Sequence, residues 1–436
     1  MFEGPTLWGL LPLIIFVVLA FRKWHPVVAI AIATIVGAVM GGHGITSIAT
    51  QTKEGLGSFL AYVGLIILAG AGLGKIAERT GVAENIVRFV MHRVGVNTPN
   101  KAIIGTMASS ALLTGSLGTL AGANAVIAPV VIPIVASAGL SSSAVAIIFQ
   151  GAGVTGLWLG PFTPPMVTFM EITGLSYGQI VLYAGLPLAV VMWLVTFIFV
   201  KKTLPQTLQQ FPYSDEDIML SKNSQSEQPG NEKVKKQATF VFLVTLFALI
   251  VYGILTEGGS TFAIAVIVIT AVVTGLAGRL TPNEIAEHFF EGAKPLIWLF
   301  FQFVLFSPFI FYIEQLGGFE ALKNLLMPFI EKGGDITLVA LTTITGIAGI
   351  PGAAVAQVVV LDEMFKGLFT SAGIPISIYI MVLLVGSQMT EMLYPIGDTL
   401  GAMGIARSKD LKSMVIFGIV GTAVIVAFVI LRTIII

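Results

Sequence analysis

The sequence predicts an all-α polytopic membrane protein built from two inverted-topology repeats that carry re-entrant hairpins and discontinuous helices. Three observations lead there. Apolar runs of membrane length recur from end to end, the two halves of the chain align on one another, and glycine and proline interrupt the apolar runs at matching places.

Hydrophobic residues make up 56% of the chain and charged residues 11%, against roughly 45–50% and 25% in soluble domains. A soluble globule has no interior large enough for that much apolar surface, and the mean hydropathy of +0.95 agrees. The 48 glycines and 20 prolines fall largely inside the apolar runs. Membrane helices tolerate them there when buried protein or a water-filled cavity satisfies the freed backbone, so broken helices are expected. Zero net charge gives no electrostatic case for a nucleic-acid partner. The absence of cysteine excludes disulfides, thiolate metal sites and cysteine nucleophiles.

A span takes about 20 apolar residues, fewer when the helix is buried among others. Such runs cover 7–20, 26–40, 59–74, 126–138, 144–159 and 180–200, then 239–255, 262–277, 296–313, 337–347, 355–369, 376–388 and 414–436. The first is followed, not preceded, by its basic residues Arg22 and Lys23, the reverse of a secretory signal, and reads as a retained helix. The polar stretch 203–237 reads as a cytoplasmic linker between a first repeat, 1–202, and a second, 238–436.

Sliding the chain by about 235 residues superposes the halves. Glu78-Arg79-Thr80-Gly81-Val82-Ala83-Glu84 falls on Glu314-Gln315-Leu316-Gly317-Gly318-Phe319-Glu320, Gly118 on Gly349, Ala138-Gly139-Leu140 on Ala372-Gly373-Ile374, and Gly151 with Thr155 on Gly386 with Thr390. Basic residues then set orientation, because cytoplasmic loops carry the excess of Lys and Arg. Arg22 and Lys23 match the Glu257-Gly258-Gly259 turn, which has no basic residue, and Arg407, Lys409 and Lys412 match the uncharged stretch 175–179. With the N-terminus outside, only Lys53, Lys323, Lys332 and Arg432 fall outside, so the repeats read as inverted.

Four stretches read as broken helices near mid-bilayer. Thr114-Gly115-Ser116-Leu117-Gly118-Thr119 through Asn124, and Gly346 through Ala354 followed by Gln357, read as hairpin tips. Gly151 through Pro165 and Gly386 through Gly401 read as proline breaks that free backbone amides and carbonyls. The competing readings are close packing of small residues and ordinary kinks. Ser116, Thr119, Asn124, Thr155, Thr163, Gln357 and Thr390 are the expected substrate-binding residues. Glu391 and Asp398, carboxylates in apolar surroundings on either side of Pro395, are the expected ion-coupling pair, because an unpaired charge at the bilayer centre costs about 2.5 kcal/mol or more.

Other charged residues read as structural. Asp362 pairs with Lys366 near the cytoplasmic face, Glu171, Glu78 and Glu314 are interfacial, and 83–94 forms an amphipathic surface helix. The four histidines, at 25, 43, 92 and 288, have no metal-ligand spacing. With no nucleophile elbow and no phosphate-binding loop, neither a catalytic set nor an ATP-driven pump is expected. No cofactor is expected beyond a transported H⁺ or Na⁺.

At these residues the chain resembles a known group. Phe162-Thr163-Pro164-Pro165-Met166-Val167-Thr168-Phe169-Met170-Glu171-Ile172-Thr173-Gly174-Leu175-Ser176 is similar to the Thr-Pro-Pro segment of TRAP large subunits and citrate carriers. Residues 55–84, with Ala69-Gly70-Ala71-Gly72-Leu73-Gly74-Lys75 and Gly81-Val82-Ala83-Glu84, resemble gluconate permeases. The layout thus resembles the ion-transporter superfamily over nearly the whole chain. The resemblance implies inverted repeats with two hairpins, organic-anion substrates, H⁺ or Na⁺ coupling and, in many members, a homodimer moving by an elevator mechanism. The Ser-Asn-Thr signature of sodium-dicarboxylate relatives is absent, only approximated by Gly115-Ser116-Leu117-Gly118-Thr119, and the gluconate-permease His-Val-Asn-Asp element is missing.

The resulting expectation is a secondary transporter of the inner or plasma membrane, coupling H⁺ or Na⁺ to a small organic anion such as a sugar acid or a di- or tricarboxylate. The alternatives are a cation/proton antiporter and a TRAP-type large subunit that needs a solute-binding protein.

Overall fold

The computed structural model describes residues 4–22, 24–219, 232–256, 258–349, 353–395 and 397–435, and every regular element among them is helical. Residues 350–352 of the expected second hairpin tip, residue 396 of the second break, Lys23, Glu257 and residues 220–231 of the linker lie outside the described residues.

A 3-10 turn, Leu7–Leu10, leads into α1 (Leu11–Phe21), α2 (Pro26–Met40), α3 (Ile45–Leu56), α4 (Phe59–Arg79) and α5 (Val82–Val94). Then come α6 (Pro99–Leu117), α7 (Leu120–Ser137), α8 (Ser142–Leu159) and α9 (Pro164–Thr173). A last long span joins α10 (Tyr177–Ile180), a π-turn (Val181–Gly185) and α11 (Leu186–Gln210). The second half opens with α12 (Glu232–Leu255), a 3-10 turn (Ser260–Phe262), α13 (Ala263–Ala277), α14 (Pro282–Ala293), α15 (Ile297–Gln315) and α16 (Gly318–Ile347). It continues with α17 (Ala354–Ser371), α18 (Ile376–Gln388), α19 (Thr390–Leu393), α20 (Asp398–Ile405) and α21 (Leu411–Ile435). Among the described residues, 9 helices are long and apolar enough to cross a membrane, which makes this a multi-pass membrane protein.

The order of elements repeats, and so does their local geometry. Gly81 and Gly317 both adopt the left-handed conformation (φ 73 and 68) immediately before α5 and α16. Gly139 and Gly373 do so (φ 85 and 71) after α7 and α17. Helix α16 bends at Gly334, where φ is 63 and ψ −156, at the place where the first half separates α5 from α6. Packing across the halves is reciprocal: α4 lies against α13 and α14 while α15 lies against α2 and α3, and α9 touches α17 while α20 touches α7.

Local chemistry explains the hairpin. Thr98 caps α6 through Lys101 N and Ser141 caps α8 through Ala144 N, each satisfying an orphan amide of a helix start. Between α6 and α7 the chain reverses at Gly118, whose φ of 71 favours glycine. A Cβ built on Gly139, after the second arm, would lie 3.8 Å from Pro99 at the start of the first. Both arms therefore return to one end of the molecule.

Two expectations shift. The apolar run at 126–138 is only the later part of α7, because its opening turns are small and polar. The segment read as a solvated linker, 203–237, is helical at both ends, since α11 continues to Gln210 and α12 begins at Glu232. The chain after α11 is also anchored, since Ser142 N bonds Phe211 O at 3.1 Å and Tyr213 Oη bonds Ala406 O at 3.0 Å. The surface helix 83–94 is present as α5, with Val82, Ala83, Ile86, Val87 and Met91 buried and Arg88 paired to Glu84 at 2.9 Å.

Candidate functional site

Both expected breaks are real. Helix α8 ends at Gly160 and resumes as α9 after Thr163, and α19 ends at Tyr394 with α20 starting at Asp398. Glycine brings the first hairpin onto the first break. A Cβ built on Gly118 would lie 3.7 Å from Phe162 O and 4.0 Å from Pro164 Cδ, and one on Gly156 or Gly160 would overlap the α6 backbone. A Cβ built on Gly401, in the opening turns of α20, would lie 3.9 Å from Ala121 Cβ, in the first turn of α7. The N-termini of α7, α9 and α20, drawn from both halves, therefore converge. Helix N-termini present free amides and the positive end of the macrodipole, so the place where these meet favours an anion.

Threonine caps the carbonyls each break frees. Thr163 Oγ1 donates to Leu157 O (2.6 Å) and Gly160 O (3.0 Å), and Thr399 Oγ1 donates to Glu391 O (2.9 Å). Amides clamp each hairpin to the helix ahead of its break. Asn124 Nδ2 donates to Phe149 O at 3.2 Å and Asn124 Oδ1 accepts from Ser110 Oγ at 2.6 Å. Gln357 Nε2 donates to Gly346 O and to Gly386 O (2.7 Å), and lies 3.4 Å from Thr390 Oγ1.

The expected residues divide accordingly. Ser116 and Thr119 stand partly exposed at the first hairpin tip, with Ser116 Oγ donating to Leu112 O at 2.8 Å. Asn124, Thr155, Thr163 and Thr390 are fully buried. Thr155 Oγ1 donates to Ala152 O (2.6 Å) and accepts from Trp193 Nε1 (2.8 Å), and Thr390 Oγ1 donates to Ser387 O (2.8 Å). Glu391 is 8% exposed, and a Cβ built on Gly397 would lie 3.4 Å from its Oε2. Asp398 is half-buried at the N-terminus of α20, where the helix dipole favours its charge. Among the described residues, no group of three or more His, Cys, Asp or Glu is arranged to hold a metal ion.

Two polar residues at this place are absent from the expectations. Gln150, 1% exposed in α8, donates from Nε2 to Glu391 O at 3.1 Å across the halves, and Thr399 shares that carbonyl. A lone glutamine in the small and apolar run 144–159 is the signal that marks the first of them.

One placement needs correction. Lys366 does pair with Asp362 (3.3 Å), but its Nζ also donates to Ile172 O at 2.8 Å. The pair stands beside Glu171, at the end expected outside, instead of at the cytoplasmic face. The cause is the direction of α17: it starts beside the buried Ala353 and runs away from it, so its later turns reach the end at which α9 finishes.

The helices, breaks and hairpins define a multi-pass membrane protein whose discontinuous helices meet in its interior. Residues 13–289 match the citrate transporter family, CitMHS, and the chain belongs to that family. It is 26% identical over 164 residues to the high-affinity gluconate transporter of Escherichia coli K12, an alignment covering 38% of this chain and 36% of that protein. The fold is similar to that of MtrF from Neisseria gonorrhoeae, described among a class of antimetabolite efflux pumps. The TM-score there is 0.54 at 17% identity, over 99% of this chain and 95% of that one. It is also similar to the YdaH transporter of Alcanivorax borkumensis, whose topology is described as unusual, with TM-score 0.57 at 13% identity over 89% and 88%.

Proposed function

We propose that this chain is a secondary active transporter of the inner or plasma membrane that couples H⁺ or Na⁺ to the movement of a small organic carboxylate. The observation that carries the reading is the convergence of the α7, α9 and α20 N-termini at interrupted helices from both halves. Free amides and dipoles there suit a carboxylate without an arginine partner. The family's description names citrate and the similar Escherichia coli protein is a gluconate transporter, both small carboxylates.

In this reading Ser116 and Thr119 contact the anion at the first hairpin tip. Asn124, Thr155, Thr163, Gln357 and Thr390 hold hairpins and broken helices in register, and Glu391 and Asp398 bind the coupling cation. The repeats are inverted in the membrane, so the site is approached from opposite sides as one half moves against the other. A homodimer belongs to the same proposal.

The test is uptake by the purified protein in vesicles under imposed pH and Na⁺ gradients, with and without a panel of organic acids. Gradient-driven uptake of a carboxylate, abolished by Asp398→Asn, is expected. Cation exchange with no organic acid present would replace this reading with an antiporter.

A further inference from the structure

Helix α5 has one face that the fold explains and one that it does not. Val82, Ala83, Ile86, Val87 and Met91 are buried against α6 and α7, and a Cβ built on Gly105 of α6 would lie 2.8 Å from Met91 Sδ. The first hairpin stands on this face. Arg88, Phe89, His92 and Arg93 form the opposite stripe and are exposed, as is Lys101 at the start of α6. Phe89 is 63% exposed, with the Arg93 guanidinium over its ring at 5.7 Å. A Cβ built on Gly95, at the end of α5, would lie 3.9 Å from Lys101 Nζ, which brings that ammonium to the same end.

The second half supplies a control. The first part of α16, between Gly317 and the bend at Gly334, stands where α5 stands after Gly81. The 236-residue shift that takes Gly81 to Gly317 carries Arg88, Phe89, His92 and Arg93 onto Asn324, Leu325, Pro328 and Phe329, which are exposed as well. Glu84 falls on Glu320, but the stretch in the second half adds Glu331 and Asp335 against Lys323 and Lys332, an acidic balance. The element therefore forms without basic residues on its outer stripe. Those of α5 answer to what lies against them.

Contacts with α12 fix the height of α5. Lys235 Nζ pairs with Glu84 at 2.8 Å, and Asn85 Nδ2 donates to Thr239 Oγ1 at 2.9 Å. On the uncovered side of the same turn Lys236 is exposed, and one turn on Phe240, 68% exposed, opens the apolar run. Such a step from lysine to apolar residues marks the headgroup level, because basic residues flank a span and do not enter the hydrocarbon. At that level a helix with a basic stripe and an aromatic among the charges suits a lipid surface. Arginines that served only to orient the chain would need no exposed ring beside them.

We propose that the exposed stripe of α5, with Lys101, is a docking surface for the headgroups of acidic phospholipids in the cytoplasmic leaflet. Arg93, Lys101 and Arg88, which also pairs with Glu84, meet the phosphates, while Phe89 enters the acyl boundary. A bound lipid steadies α5 and, through Met91, the hairpin that stands on it. This inference rests on the orientation in the transporter reading, which puts α5 on the cytoplasmic side, and is independent of the solute and the coupling ion.

The test is thermal denaturation of the purified full-length protein in a neutral detergent, titrated with phosphatidylglycerol or with phosphatidylcholine. Wild type is expected to gain melting temperature saturably with the first lipid and not with the second. Arg93→Gln with Lys101→Gln is expected to melt near wild type without lipid and to need roughly 30-fold more phosphatidylglycerol for half its shift, about fivefold for each basic residue lost. Lys323→Gln with Lys332→Gln, on the matching stretch of the second half, is expected to keep the wild-type midpoint. A wild type indifferent to phosphatidylglycerol, an unchanged midpoint in the first pair, or an equal loss in the second pair overturns the proposal. An equal shift with inorganic phosphate also overturns it, in favour of a soluble anion. If the first pair fails to fold, Lys101→Gln alone takes its place, with a rise of about fivefold expected and an unchanged midpoint overturning the proposal. Because the chain has no cysteine, Asn97→Cys, exposed just beyond α5, reports the side. Labelling by an impermeant maleimide in inside-out vesicles alone is expected, and labelling in right-side-out vesicles removes the orientation and the proposal with it. Failure of every organic acid to be taken up, with the lipid results as expected, removes the transporter reading and leaves the docking surface standing.

Discussion

Asn124 and Gln357 perform the same task in the two halves: each sits in the first turns of the second hairpin arm and ties that arm, through its side-chain amide, to the helix that precedes the break. Asn124 reaches Phe149 O in α8, and Gln357 reaches Gly346 O in the first arm and Gly386 O in α18. Hairpin and broken helix are thereby held as one body in each half. That matters because a site built from helix N-termini works only while the termini keep their relative positions.

Removing a clamp measures its strength. Side-chain hydrogen bonds between membrane helices average about 0.6 kcal/mol, whereas a buried polar group left without a partner costs about 1–3 kcal/mol. Asn124→Leu does both, since Ser110 Oγ loses its acceptor. A loss on the order of 1–2 kcal/mol is expected, seen as a lower melting temperature in detergent, and a variant as stable as wild type would show that the clamp contributes nothing.

The glycine contacts predict a contrast between two substitutions of the same kind. A Cβ on Gly346 would lie 2.6 Å from Gly386 Cα, backbone against backbone, with no flexible side chain to yield. Gly346→Ala is expected to cost about 1–3 kcal/mol, the range for overpacking a close contact. Gly367, in α17, has open space where a Cβ would stand, so Gly367→Ala is expected to be neutral or to stabilise by up to about 1 kcal/mol through helix propensity. Equal melting temperatures for the two variants would show that the halves of the second hairpin unit are not in such close contact.

Hairpins and breaks are legible in the sequence because their signals are local: Gly118 before a polar turn, Gly160 and Pro164 around one break, Pro395 and Gly397 around the other. Spans are legible for the same reason, through hydropathy over a window. The side-chain partners are not. Thr163 looks like a ligand because it sits at a break, yet its hydroxyl hydrogen goes to Leu157 O and Gly160 O, a consequence of where the chain turns. Gln150 escapes notice because one amide barely changes the hydropathy of the apolar run around it, and its partner Glu391 is 241 residues away. The ends of α11 and α12 read as linker because hydropathy scores Lys and Gln as polar, although both residues favour helix. Orientation of the halves rests on loop charge, and the Asp362–Lys366 pair shows how a hairpin can carry charged residues to the opposite end from the one their sequence position suggests.

A pH effect is expected at α5, outside the spans. Burial by itself raises the Glu84 carboxyl, but the hydrogen bonds and charges of Lys235 and Arg88 outweigh it and hold the group below its ordinary value of 4.5. A depressed folded value means that the stabilisation is complete above the unfolded carboxylate range and is lost as the pH falls through the folded value. Glu84→Gln is therefore expected to melt below wild type at neutral pH, with the difference closing as the pH is taken below about 4. A difference that stays constant from neutral to acid pH would show that the Lys235 and Arg88 contacts do not depend on the Glu84 charge.

The end of the molecule that holds Glu171 offers a test of motion. Glu171 Oε2 accepts from Ser260 Oγ at 2.6 Å, joining α9 of the first half to the turn before α13 of the second, and Tyr62 Oη of α4 donates to Thr261 O at 2.8 Å in the same turn. Beside this contact lies a cavity of about 830 Å³, lined by Phe162 of the first break together with Glu171, Tyr177, Gln179, Ser260 and Thr261. If α8 and α9 travel with the site while α12 and α13 stay in place, the Glu171–Ser260 contact must part in each cycle. The chain has no cysteine, so Glu171→Cys with Ser260→Cys supplies the sole thiol pair. Bridging that pair with a short, reducible bifunctional thiol reagent is expected to bring uptake in vesicles down to the background of empty vesicles, and reductant to restore it, while each single variant treated the same way transports normally. Full uptake by the bridged protein would mean that α9 and the α13 turn stay together throughout the cycle, and that the moving boundary between the halves lies elsewhere.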